Sequence, residues 1–109
     1  MTLEEIRKDF ELRTQGWNAE ISQVETGVGS FLYLAVNQLN SEERLVLGVQ
    51  LEKNGKIFAD VCGEDSGKIY SNYVEIVSLN DLDPLFELIP KPWMEPVLNI
   101  HGIERLTDF

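Results

Sequence analysis

One cysteine and one histidine in 109 residues leave little material for covalent or metal chemistry. Cys62 alone can form no internal disulfide, and it is expected as a buried thiol, because a free cysteine packs as a small hydrophobe. His101, beside Gly102, reads as a turn histidine. The sequence contains no GxSxG, HExxH, CxxC, Walker or EF-hand spacing, so nucleophile and base cannot be assigned and no catalytic residue, metal ligand or cofactor is expected. A serine nucleophile served by His101 would need a serine that nothing in the sequence nominates.

Basic residues are also scarce. Nine Lys and Arg face nineteen Asp and Glu, for a formal charge of −10. The excess is uneven: residues 1–56 hold 9 acids and 6 bases, and residues 57–109 hold 10 acids and 3 bases. Such a charge repels a phosphate backbone, whose affinity for proteins comes largely from basic groups releasing counterions. Direct nucleic-acid binding is therefore not expected, and a basic protein partner is favoured. No apolar run reaches membrane-spanning length, and Met1-Thr2-Leu3-Glu4-Glu5 lacks the basic start and apolar stretch of a signal peptide. The expectation is a cytoplasmic protein with no membrane association.

What is present has the make-up of an ordinary globular protein, 43% hydrophobic and 26% charged. A chain of this length suits one compact domain over residues 1–109. Thr2 followed three residues later by Glu5 is a capping-box pattern, and Leu3, Ile6 and Phe10 recur at helical spacing, predicting a helix over about 3–14 that Gly16 caps. From Trp17, a core candidate, the period changes to two: Trp17, Ala19 and Ile21 alternate with Asn18, Glu20 and Ser22. Gly27 and Gly29 mark a hairpin turn. Phe31 to Val36 is an unbroken apolar run, which predicts a central strand covered on both faces.

Leu45 to Glu52 and Lys56 to Cys62 flank Asn54-Gly55, a short-range hairpin signal. A two-residue loop would pair Val49 with Asp60 and bring an acid onto the buried face. A three-residue loop, Lys53-Asn54-Gly55, with Gly55 left-handed in a G1 bulge, pairs Leu51 with Ile57, Val49 with Ala59 and Leu47 with Val61. The apolar residues then match, so the bulged hairpin is predicted. Gly63 to Gly67 reads as the next turn and Lys68 to Val77 as a fifth strand. Asp81 or Asp83 is placed to cap a short helix with Pro84 in its first turn and Leu85, Phe86, Leu88 and Ile89 as its apolar body, ended by Pro90. Val97 to Ile100 reads as a last short strand. The fold class is α+β: an N-terminal helix, a roughly five-stranded antiparallel meander, a short C-terminal helix and the last strand.

The candidate partner-binding residues are Asp60, Glu64, Asp65, Glu75, Asp81, Asp83, Glu87 and Trp93. The acids are brought close by the meander, with Lys68 as the base among them. Grouped carboxylates can bind Ca²⁺ or Mg²⁺, or act as an acid and base pair, but without a DxDxDG-type spacing they read as solvated acids available to a binding surface. Trp93 and Met94 lie in a loop stiffened by Pro90, Pro92 and Pro96, where they either close the core or anchor a partner.

In size, charge and element order, though not in any residue motif, the chain is similar to immunity proteins of interbacterial toxin systems, phage inhibitors that mimic nucleic acid, and chaperones of type III secretion effectors. The expected function is a non-enzymatic acidic inhibitor of the immunity-protein kind, neutralising a basic partner such as a nuclease toxin. The alternatives are a secretion or assembly chaperone holding a partner segment on its sheet, and a small-molecule-binding domain or enzyme with a carboxylate site. Charge reversal at Glu64 and Asp65 is expected to weaken a basic partner's binding more than reversal at Glu42 and Glu43, which lie beside Arg44. Equal losses, with circular dichroism as the folding control, would reduce the acidic half to a solubilising face.

Overall fold

The computed structural model describes residues 1–37, 43–63 and 68–90. Helix α1 spans Leu3–Arg13 and starts on the predicted capping box: the Glu5 N–H donates to Thr2 Oγ1 at 3.2 Å, and the Thr2 N–H donates to Glu5 Oε1 at 2.8 Å. Leu3, Ile6 and Phe10 are buried. The helix closes at Thr14, whose hydroxyl and N–H both donate to the Phe10 carbonyl, at 2.7 and 3.0 Å. Gly16 is left-handed, with φ of 81°, but it belongs to the 14–17 turn, in which the Trp17 N–H donates to the Thr14 carbonyl. It steers the chain into the sheet and does not cap the helix.

Five antiparallel strands follow in sequence order: β1 Ala19–Thr26, β2 Gly29–Asn37, β3 Arg44–Glu52, β4 Ile57–Gly63 and β5 Val74–Glu75. The meander and the α+β class are as the sequence reading has them. So is the β3–β4 register: Leu47 lies opposite Val61, Val49 opposite Ala59 and Leu51 opposite Ile57. Gly55 has φ of 90°, and its N–H donates to the Glu52 carbonyl, closing the three-residue loop. With side chains alternating across the sheet, Leu32, Leu34, Val36, Leu45, Leu47, Val49, Ile57, Ala59 and Val61 point to one face and are buried in one core with Leu3, Ile6 and Phe10 of α1. Fully burying a large aliphatic side chain contributes about 1.5–3 kcal/mol, so this face is the main source of stability.

Three expectations need correction. The Phe31–Val36 run lies in β2, one place in from the edge, and is covered on one face: Phe31, Tyr33 and Ala35 remain half-buried on the other. An apolar run cannot distinguish a sandwiched strand from one that carries aromatics on an open face. The fifth strand is far shorter than 68–77. After a bridge between Cys62 and Ile69, residues 70–73 stand opposite just Asp60 and Val61, and pairing resumes at Val74. Ser71 explains the break, because its hydroxyl accepts from the Val61 N–H at 2.8 Å and stands in for a ladder carbonyl. Finally, neither aspartate caps α2 in the expected way. A 3₁₀ turn, Leu79–Leu82, runs directly into α2, Asp83–Phe86, and the Asp81 carboxylate reaches back to accept from the N–H groups of Val77 and Ser78 at 2.8 and 3.0 Å.

The 3₁₀ turn and α2 pack on the same layer as α1, contributing Leu82, Leu85, Phe86 and Ile89 to the core; Leu88 is exposed. Phe86 meets Phe10 and Trp17 edge-on at 5.7 and 6.3 Å between ring centres. Arg13 ties the two helices together. Its guanidinium lies 4.8 Å over the Phe86 ring and donates to Asp9, to Asp83 and to the Leu79 carbonyl. The expected last strand at 97–100, together with Trp93 and His101, lies outside the described residues. No helix among the described residues is long and apolar enough to cross a membrane.

Gly29 opens β2 with φ of 149°, and a Cβ there would lie 2.5 Å from the Leu51 carbonyl oxygen. Gly29→Ala should therefore lower unfolding free energy by about 1–3 kcal/mol. Gly27→Ala, which meets nothing within 4 Å, should change it by no more than about 0.5 kcal/mol. Urea denaturation of both variants checks the contrast, and equal losses would contradict the backbone argument.

Candidate functional site: the open face of the sheet

The alternation that buries one face of the sheet leaves the other without a helix among the described residues. Two rows cross it from strand to strand: Ser22, Tyr33, Gly48 and Asp60 in one, and Val24, Phe31, Gln50, Phe58 and Glu75 in the next. The apolar members are mostly aromatic. Phe31 and Tyr33 stack with ring centres 6.1 Å apart on β2, and Phe58 stacks at 5.2 Å on Tyr73 from the bulged segment after β4. Tyr73 reaches across β4, where its hydroxyl donates to Gln50 Oε1 on β3.

Between these two aromatic walls β3 presents Gly48. A Cβ at this position would lie 3.3 Å from Asp60 Oδ1 and 3.6 Å from the Tyr33 ring. The missing side chain thus lets the acid and the ring lean toward each other over the β3 backbone. The result is a cavity of about 310 Å³ whose lining includes Phe31, Tyr33, Gly48, Gln50, Asp60 and Tyr73. Farther along the same face Arg44 meets Glu20 at 3.2 Å.

Electrostatics mark the same place. Burial raises the pKa of the Asp60 carboxyl, and no hydrogen bond from the described residues offsets that cost. The Tyr73 phenol is raised first by burial and then by the charges of Glu52 and Asp60 and by Tyr33. Glu52 and Asp60 therefore act on one phenol from two strands. Perturbed groups beside a concavity are a recognised mark of functional surfaces.

Of the residues nominated from sequence, those that are described do not share one face. Asp60 and Glu75 lie on the open face. Asp83 lies on the helical layer, 2.8 Å from Arg13, so its charge is offset by a base that the sequence reading did not place there. Asp81 is committed to the turn before α2, where the Val77 and Ser78 N–H groups lower its pKa. Glu87 is exposed beyond α2, and Glu64, Asp65 and Trp93 fall outside the described residues. Cys62, expected to be buried, is a half-exposed thiol on the open face beside Val46. Among the described residues no group of three or more His, Cys, Asp and Glu is placed to hold a metal ion.

Sequence reasoning missed Tyr33, Phe31, Gly48, Gln50 and Phe58; Tyr73, which with Tyr70 and the carboxylates is the lining expected of a small-molecule pocket, does line this cavity, and Tyr70 does not. One signal was available: a glycine inside the apolar strand Leu45-Val46-Leu47-Gly48-Val49 marks a place where something approaches the backbone. Comparison with protein-family profiles, with characterised proteins and with solved structures finds no match.

Because the folded-state pKa of Asp60 lies above its unfolded value, ionisation of this carboxyl opposes folding at pH above the carboxylate range and has no effect well below it. Asp60→Asn should therefore raise the unfolding midpoint at pH 7, and the gain should vanish as pH falls to about 3. Thermal melts at the two pH values test this. A gain that persists unchanged at low pH, or a loss at pH 7, would contradict the assigned cause.

Proposed function

We propose that the chain is a non-enzymatic protein-binding domain that receives a basic partner on the open face of its sheet, as an inhibitor of the immunity-protein kind would. The observation that carries this reading is the face that no described helix covers, with four aromatic rings around a half-buried carboxylate, in a protein of net charge −10. Aromatic residues supply much of the energy at protein interfaces. A desolvated acid without a donor among the described residues disfavours an acidic partner and favours a basic one. A nuclease toxin fits the description, since such enzymes must be basic to hold nucleic acid.

A second reading, the chaperone that holds an extended partner segment, is favoured by the exposed rows. Val24 and Tyr73, both on that face, are 47% and 49% exposed, and an extended segment could lie across them. The two readings differ in what is bound: a folded protein in the first, an unfolded segment in the second.

Affinity capture from the source cell, compared among variants, tests the proposal. One basic protein should be retained in stoichiometric amount by the native chain and by Glu4→Lys on α1, and lost with Asp60→Lys. Capture that ignores Asp60→Lys, or a captured partner that is acidic, would overturn it. With the partner in hand, the association rate should fall as ionic strength rises from about 0.01 to 0.15 M, where the Debye length shrinks from about 30 to about 8 Å, while dissociation changes less. A salt-independent association rate would remove charge from the account.

A further inference from the structure

We infer that the cavity over Gly48 is a receptor for the guanidinium group of one arginine, which enters between Tyr33 and Tyr73 and ends on the Asp60 carboxylate. For its biological ligand the inference rests on the reading above, that a basic protein docks on this face. For its chemistry it rests on the cavity.

Three features converge there. Asp60 is an acceptor held partly out of water, with Oδ1 turned over Gly48 and no hydrogen bond from the described residues. Tyr33 and Tyr73 line the same space from opposite sides of β3, and a cation over an aromatic face is attracted by the ring quadrupole. Tyr73 is fixed by its bond to Gln50 and its stack on Phe58, so its ring is in place before a ligand arrives. Glu52 adds a second negative charge close enough to act on the Tyr73 phenol.

The choice of guanidinium over ammonium follows from hydration and shape. Asp60 sits where water is partly excluded, and a guanidinium surrenders its water more readily than an ammonium does. Its flat fork can lie against a tyrosine ring while two N–H groups point at one carboxylate. A cavity of about 310 Å³ exceeds what a single side chain needs, so the aliphatic stem fits as well. Gly48 is the enabling residue: a side chain here would occupy the floor.

The test is a titration of the full chain, followed by amide and aromatic NMR shifts, with Nα-acetyl-arginine amide. The citrulline amide, of the same shape but uncharged, and the lysine amide serve as comparators. Saturable shifts centred on Gly48, Asp60, Tyr33 and Tyr73 are expected, with a dissociation constant on the order of 1–10 mM for so small a probe. The citrulline amide should bind at least about tenfold more weakly. Asp60→Asn should lose the response with its spectrum otherwise native, and Gly48→Ala should lose it by filling the floor. Absence of saturable shifts, equal response in Asp60→Asn, or equal binding of citrulline would overturn the inference, and lysine binding as tight as arginine would overturn the guanidinium assignment. The two readings fail separately: a basic partner captured through the open face without an arginine response leaves the proposed function standing and removes the pocket. An arginine response without a basic partner does the reverse.

Discussion

A slip of one residue between β3 and β4 would carry Asp60 into the core and lift Val61, Ala59 and Ile57 into water. The pairing of these two strands is thus the constraint from which both faces of the sheet follow. It is held by the Lys53-Asn54-Gly55 loop, where left-handed Gly55 closes the turn on Glu52, and by the row of aliphatic pairs that gains burial in this register alone. At the same end of the sheet Gly29 lies opposite Glu52, and its backbone passes so close to the Leu51 carbonyl that a side chain there would force the two strands apart. With both pairings fixed, every side chain of the three strands is assigned to the core or to the open face.

The two faces differ in chemistry as well as in burial. The covered face is almost wholly aliphatic and closes on Ile6, Phe10, Leu82 and Phe86. The open face carries flat rings, an acid and a glycine, a composition that gains little from being left in water. Tyr73 depends on a defect in the sheet: residues 70–73 bulge out of the ladder, Ser71 satisfies the orphaned Val61 N–H, and the freed tyrosine lies across Phe58 to reach Gln50. Bulges commonly re-aim side chains beside functional surfaces. Here the bulge supplies the second wall of the cavity.

Charge is divided between the layers in a way that its totals conceal. On the helical side Arg13 gathers Asp9 and Asp83 and lies over Phe86, so acids there serve to join α1 to α2. Asp81 is spent on two backbone N–H groups. On the open side Asp60 has no such partner among the described residues, and Glu52 stands close to the Tyr73 phenol that Asp60 also perturbs. Which acids are left without a basic or backbone partner is therefore decided by the layer they face and not by their density along the chain.

Local signals in the sequence determined the elements whose causes are local. The Thr2–Glu5 box set the start of α1, Asn54-Gly55 with the matched aliphatic rows set the hairpin register, and clustered strands set the α+β class. These were legible because capping, turn chemistry and two-residue alternation act within a few positions. The length of β5, the place of β2 in the sheet, the pairing of Arg13 with Asp83 and the cavity over Gly48 were decided by tertiary structure. Each depends on contacts between residues far apart in the chain, such as Arg13 with Asp83 or Tyr73 with Gln50, whose meeting no local pattern encodes. Asp60 was nominated from sequence as one acid among several. Its environment, an aromatic wall on each side and a glycine beneath, exists once β2, β3, β4 and the bulge are assembled, because burial and ring placement are properties of the packed sheet and not of the residue.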